Sequence, residues 1–401
     1  MKMLKVASLV ALCGAGSTAG AVDMNIALEF KPDSVNPGAN RFVNKTTPTG
    51  YCVLNPARCA DLNISSLMTP ITTGIISIDP MVPGIDRAGV QVSNEVKPVT
   101  LTGPDGSSFT LNFALTHYGG TYVVVPSARE ITNSSISDGH MALWLAGAWH
   151  TVLGCGSMNY SNYSAERFSF FWSNPNGDFC GGRSNFPIPS LSYSALQVGY
   201  HLTPPNPQTM ANGTYTGSVA YTVGPLGEIN FGDRLSTNHT VLTFNFTVEV
   251  KHALSIRFPA GADRLTLNPA GGWRPWLASG RMPDKLSAHQ DFRIGSSGPF
   301  KMQLSCEYLA GDNCAIENKD GDRVPVTTGV TLPSGLSGPN GPVKEALLSE
   351  AESLDISSTE YVDNGRARLH FEVDKAGVEQ MTGHGGTQYS GNVTVIWDSR
   401  I

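Results

Sequence analysis

The sequence predicts an all-β chain of two domains in tandem, on three observations. Charged residues fill only 15% of its 401 positions, while Gly, Pro, Ser, Thr and Asn are abundant, as in exported β-proteins with many turns. Several long stretches alternate apolar and polar residues with the period of two that marks a strand with one buried face. At Lys251-His252 that alternation stops and restarts, which places a first domain over 22–250, a short linker at 251–252 and a second domain over 253–401.

The opening residues, Met1 to Ala21, carry Lys2 and Lys5, the apolar run Val6 to Leu12, and Ala19-Gly20-Ala21 as a small-residue cleavage site. This is the pattern of a secretory signal peptide. Leu12 precedes Cys13 where a lipoprotein signal requires a small residue, so a soluble export product is expected. No later segment approaches the ~18 apolar residues of a membrane helix. Without Cys13 six cysteines remain, and proximity pairs Cys52 with Cys59, Cys155 with Cys180 and Cys306 with Cys314. Six cysteines allow fifteen connectivities. Zinc is the competing reading, but there is no Cys-x-x-Cys and no histidine at ligand spacing from a cysteine. No metal or cofactor is expected. The net charge of −6 becomes −8 once Lys2 and Lys5 are removed, which argues against nucleic acid or anionic membrane as a partner.

In chain order, Val22 to Phe30 alternates Met24, Ile26, Leu28 and Phe30 and reads as a first strand. It begins at once and leaves almost no N-terminal extension to donate to a neighbour, an expectation that puts the chain at the end of an assembly. Gly74–Ile78, Ser108–Phe113 and Thr121–Val125 are strands, broken by Pro104-Asp-Gly106 and Gly119-Gly120. Met141 to Val152 fits helix and strand periods equally. Between Cys155 and Cys180, Asn, Tyr and Ser surround Phe168 to Trp172 in what reads as a stiff loop suited to recognition. Two long core strands follow. One places Tyr215, Gly217, Val219, Tyr221 and Val223 on a single face; the other does so with Leu242, Phe244, Phe246, Val248 and Val250.

Beyond the joint, Ala253–Phe258, Asp263–Leu267, Phe300–Cys306, Arg323–Leu332 and Arg366–Val373 read as strands. Lys319-Asp-Gly-Asp322 and Asp363-Asn-Gly365 read as hairpin turns, and Lys344 to Ser353 as a short helix. In the last stretch Tyr389, Gly391, Val393, Val395 and Trp397 share one face. An immunoglobulin-like sandwich needs about seven strands, and a core strand in this position leaves no residues for another beside it. A partner would then add the missing strand through backbone bonds and alternate side chains. A closed sandwich that simply finishes on a core strand is the competing reading.

Motifs for chemistry are sparse. Asn318 to Asp322 lacks the ligand spacing of a calcium loop, and His384-Gly-Gly386 has no Gly-x-Ser-x-Gly elbow to serve. No zinc-protease motif, phosphate loop or dinucleotide fingerprint occurs. A pair of carboxylates facing across a sugar cannot be recognised from spacing, so a secreted carbohydrate-active enzyme stands as the alternative from another class; the reading is that the chain is not an enzyme.

The order of features resembles tip adhesins, or minor tip subunits, of the class 5 (alpha-clade) chaperone–usher fimbriae, the colonisation-factor and cable-pilus type. The likeness runs through Cys52 and Cys59, the Cys155–Cys180 segment, Gly213-Thr-Tyr215 to Val223, and Leu242 to Val250. It continues through Leu254-Ser-Ile-Arg-Phe-Pro259 and Arg264-Leu-Thr-Leu-Asn-Pro269 to Gln388–Trp397. The resemblance implies two immunoglobulin-like sandwiches, an N-terminal receptor-binding domain and a C-terminal pilin domain lacking its final strand. It implies a periplasmic pilus chaperone, an outer-membrane usher, a major pilin that donates an N-terminal strand, and a host glycan or glycoprotein receptor. It also implies export through the periplasm to the fimbrial tip at the bacterial surface. The groove would be lined by Tyr389, Gly391, Val393, Val395 and Trp397. The family's paired receptor-binding arginines are replaced here by Gly224-Pro225, so Arg41, Lys45, Arg183 and Arg234 are carried as receptor candidates. A non-adhesive initiator that only caps the fibre is the reading those missing arginines favour. The third cysteine pair is a further departure.

Overall fold

The computed structural model describes residues 20–32, 40–147, 149 and 155–399. The expected signal peptide lies outside them except for Gly20 and Ala21, which open the first strand, Gly20–Phe30. That strand runs parallel to His239–Val250, from Ala21 beside Val241 to Phe30 beside Val250. His239–Val250 pairs on its other side with Gly213–Thr222. Its alternation explains its place: Leu242, Phe244, Phe246, Val248 and Val250 are all buried.

A second layer of the first domain holds Lys97–Thr102, Ser108–Val125 and Ile188–Thr203, paired antiparallel in that order. The layers join edge to edge at one residue pair, Thr216 with Thr102, and elsewhere face each other. Phe113 of the second layer lies 4.8 Å from Phe244 and 5.3 Å from Phe246, ring to ring, so the core fills a sandwich folded from one bent sheet.

Two expectations for this domain are corrected, and one stretch left open is decided. Gly119-Gly120 does not break a strand; Ser108–Val125 runs through it as one strand of 18 residues. Gly119 is needed there because a Cβ would lie 2.2 Å from the Phe170 carbonyl oxygen on the neighbouring strand. The Cys155–Cys180 segment is no open loop either, since it forms the hairpin Gly156–Tyr163 and Arg167–Ser173, with Phe168, Phe170, Phe171 and Trp172 buried. Of the stretch left open, Met141–Leu143 closes a helix over Ile136–Leu143 that is capped by the Ser135 hydroxyl. Trp144 then turns extended and bridges to Ser184; positions 148 and 150–152 of that stretch lie outside the described residues.

The second domain is two sheets. The first runs Leu254–Arg257, Leu286–Ser296, Val362–Val373, Arg323–Thr331, Asn313–Glu317 and Tyr308–Ala310; the second contains Leu336–Gly338, Leu354–Ser358, Phe300–Cys306 and Val393–Asp398. Phe292, Ile294, Phe300, Met302, Leu304, Val330 and Leu369 pack in the core. All-β architecture in tandem units is therefore observed. The three expected cysteine pairs are bonded.

Here too local reading is corrected. Asp263–Leu267 is irregular and only Asn268 bridges, to Ser287. Lys344–Ser353 is not helical: Glu345 sits at φ 48°, and Ala346–Leu348 pairs with Thr328–Val330 as a strand. Asp363-Asn-Gly365 lies inside the strand Val362–Val373, where the register slips against Ile294–Ser296. The expected turn at Asn318–Asp322 does form, with the Asn318 side chain accepting from the backbones of Asp320 and Asp322. The helix Lys375–Gly383, started by Asp374 accepting from the Gly377 N–H, had no reading in sequence.

Candidate functional site

The strand Val393–Asp398 pairs with Phe300–Cys306 and, among the described residues, with no other strand. Which of its backbone groups are free follows from the pairing. The Glu307 N–H donates to the Asn392 carbonyl at 3.0 Å, while the Leu304 N–H turns the other way, to Ser349. In an antiparallel ladder bonded and non-bonded pairs alternate. Asn392, Thr394, Ile396 and Asp398 therefore face Phe300–Cys306, and Val393, Val395 and Trp397 point their N–H and C=O groups to the open edge.

The same three residues turn their side chains inward. They line an apolar trough of about 710 Å³, whose other walls include Phe258, Leu265, Ile316, Val326, Leu369 and Phe371. Leu265 and Phe258 are each more than 40% exposed, so the wall is unfinished on that side. The strand before it, Leu254–Arg257, likewise pairs among the described residues on one side only, with Leu286–Ser296. An unpaired edge beside an unfilled apolar trough presents backbone bonds and side-chain pockets to the same incoming segment.

Of the five residues predicted to line this groove, Gly391, Val393, Val395 and Trp397 do so. Tyr389 does not, and this is a correction. Its hydroxyl donates to Asp322 and accepts from the Asn318 amide, and its ring packs against a separate core around Val324, Val326 and Val378. The strand accordingly starts at Val393, after Ser390 has bridged to Glu317. Phe258, Leu265 and Phe371 were missed as trough walls: each lies in a stretch that reads as a strand, Ala253–Phe258, Asp263–Leu267 and Arg366–Val373, but nothing in sequence says which strands face one another.

The four receptor candidates are exposed. Lys45 is paired with Glu29, 3.1 Å away, and Glu29 also meets Lys251 at the joint. Arg183 lies close enough to Arg87 for the two like charges to work with burial in lowering the Arg87 pKa. The loop that carries Arg234 passes Ile85, whose carbonyl would meet a Cβ at Gly232. Among the described residues Arg41 forms no salt bridge.

No family model matches the chain, and no curated protein matches it. Among solved structures it is similar to the chaperone–tip adhesion subunit pre-assembly complex CsuC–CsuE of the archaic Csu pili of Acinetobacter baumannii. That match has 12% identity over 95% of this chain and 99% of the other, with a TM-score of 0.20. It is also similar to the CupB6 tip adhesin of Pseudomonas aeruginosa, at 9% identity over 83% and 96% of the two chains with a TM-score of 0.27. Overlap at these scores fixes no residue correspondence.

Proposed function

We propose that this chain is a fimbrial tip adhesin that starts pilus assembly by the chaperone–usher route. The observation that carries the reading is the open edge of Val393–Asp398 above an apolar trough. A chaperone strand occupies that edge in the periplasm; at the usher the extension of a major pilin replaces it. Four or five apolar side chains seated in the trough contribute roughly 1.5–3 kcal/mol each, comparable in sum with the stability of a whole domain. The first domain takes the receptor-binding role, toward a host glycan. Its exposed Arg183, beside Arg87, supports that assignment.

The test is to append a flexible linker and a donor strand of alternating apolar residues after Ile401. The expected result is a thermal midpoint at least about 10 °C higher, since several kcal/mol corresponds to that shift in a domain of this size. An unchanged midpoint, with the trough still open to solvent, would overturn the reading. A glycan-array screen of the full donor-fused chain tests the adhesive role separately.

A further inference from the structure

A row of arginines crosses the outer face of the second domain, starting from the edge strand Leu254–Arg257. Arg257 lies opposite Arg293 in the ladder, and Arg293 lies opposite Arg366 on the next strand. Three guanidinium side chains thus stand abreast on adjacent strands, which are about 4.8 Å apart. Like charges directly opposite each other destabilise a sheet, so folding alone gives no reason for the arrangement. Acids offset it only in part: Asp291 is drawn down chiefly by its bond to Arg368, with a lesser pull from Arg366. Arg293 donates to the Asn364 carbonyl at 3.2 Å, and among the described residues neither Arg257 nor Arg366 forms a salt bridge. The acid in the row below is already used: Asp291 takes both ends of Arg368, at 2.6 and 3.2 Å.

All four arginines border one open pocket of about 830 Å³. Its lining adds Thr331, hydrogen-bonded to His370 at 2.9 Å, and the half-exposed ring of Phe258. Glu345 lines it too, so the pocket holds four arginines against two acids. This is a local excess of positive charge on a chain whose net charge is −6.

We infer that the arginine row binds a linear saccharide bearing sulfate or carboxylate groups. Guanidinium forks match such oxyanions bidentately. A row spaced at the strand interval favours a chain with repeated charges over one small ion, and the apolar ring of Phe258 offers a surface for the sugar's CH face. The net negative charge of the chain disfavours nucleic acid as the polyanion. Phe258 borders both sites, but no arginine lines the trough, so charge recognition by the row is separable from strand addition.

The test uses the full chain and isothermal titration near 150 mM salt, where exposed charges are screened beyond about 8 Å. The probes are a heparin-derived decasaccharide, an oligogalacturonate carrying carboxylates alone, inorganic sulfate and a dT20 oligonucleotide. The expected result is binding of one or both saccharides. It should weaken at least about tenfold in the triple variant R257S/R293S/R366S and be partly restored by lysine at the same positions. The variant R129S/R167S, which removes two exposed arginines of the first domain, should bind as the native chain does. The two saccharide arms tell sulfate from carboxylate recognition. No saccharide binding, affinity for inorganic sulfate or dT20 equal to the saccharides, or loss in R129S/R167S in place of the triple variant would each overturn the inference.

Discussion

The indole of Trp397 stands edge-on to the ring of Phe292, with centroids 5.4 Å apart. Phe292 in turn lies 5.3 Å from Phe258. This aromatic line ties the open-edged strand to the facing sheet at the side of the trough, while Val395 one turn of the pleat away is left half covered. The contact keeps the trough formed while its edge stays unpaired.

Val395→Asp separates the two demands on the trough. In the unfused chain water still reaches the side chain, so the cost is expected to be only about 1–2 kcal/mol. Once a donor strand is seated the carboxylate has neither water nor partner, which costs several kcal/mol. The midpoint gain from the fused donor should therefore largely disappear in the variant. Differential scanning fluorimetry of fused and unfused pairs measures this directly, and an undiminished gain would place the donor elsewhere.

His117 makes the first domain sensitive to acid. Its ring is 8% exposed and stacks on Phe171, and burial, with the nearby Arg58 charge, lowers its pKa to about 4. The folded state thus holds the ring neutral while the unfolded chain takes up a proton near pH 6.5. The contribution is complete above about pH 6.5 and is lost as pH falls toward 4, amounting to about 3 kcal/mol at the lower limit. Burial lowers His140 and His252 as well, so the slope is shared. Urea midpoints between about pH 7.5 and pH 5 should fall less steeply in His117→Phe than in the native chain.

Gly119→Ala is expected to cost about 1–3 kcal/mol. The added methyl would meet the backbone carbonyl of Phe170 and the Cα of Phe171, and backbone cannot rotate aside as a side chain can. A shift of the urea midpoint with an unchanged m-value reads the cost as stability alone.

The parts of this protein that alternate were legible, because a two-residue period states which face is buried. Leu242 to Val250 and Tyr215 to Tyr221 fall where their pattern puts them. What a pattern cannot state is where neighbouring backbone lies. Gly119-Gly120 looks like a break until Phe170 is seen against it, and Asn364, at φ 51° inside a strand, looks like a turn. At the trough the period was right and its extent wrong: Tyr389 keeps phase with Trp397 but spends its hydroxyl on Asp322. The arginine row was invisible because Arg257, Arg293 and Arg366 come from three strands whose register only the fold supplies.

His252 makes the short joint a fixed one. Its Nε2–H donates to the Met210 carbonyl at 2.8 Å, in the first domain, and its Nδ1 accepts from the Ser297 hydroxyl at 3.1 Å, in the second. The Ala253 N–H donates to the same hydroxyl oxygen. The ring lies 5.2 Å from Phe30 and so close to Gly298 that a Cβ there would fall 2.4 Å from it. Asn212 adds a second tie, accepting from the His252 N–H and donating to the Ser399 carbonyl. His252→Ala removes both ring bonds and the packing that holds them, leaving the core of each domain untouched. The expected outcome is a chain that melts within a few degrees of the native one while its small-angle scattering shows a larger maximum dimension and a spread of domain arrangements. Scattering indistinguishable from the native chain would mean that Asn212 alone sets the angle between the domains.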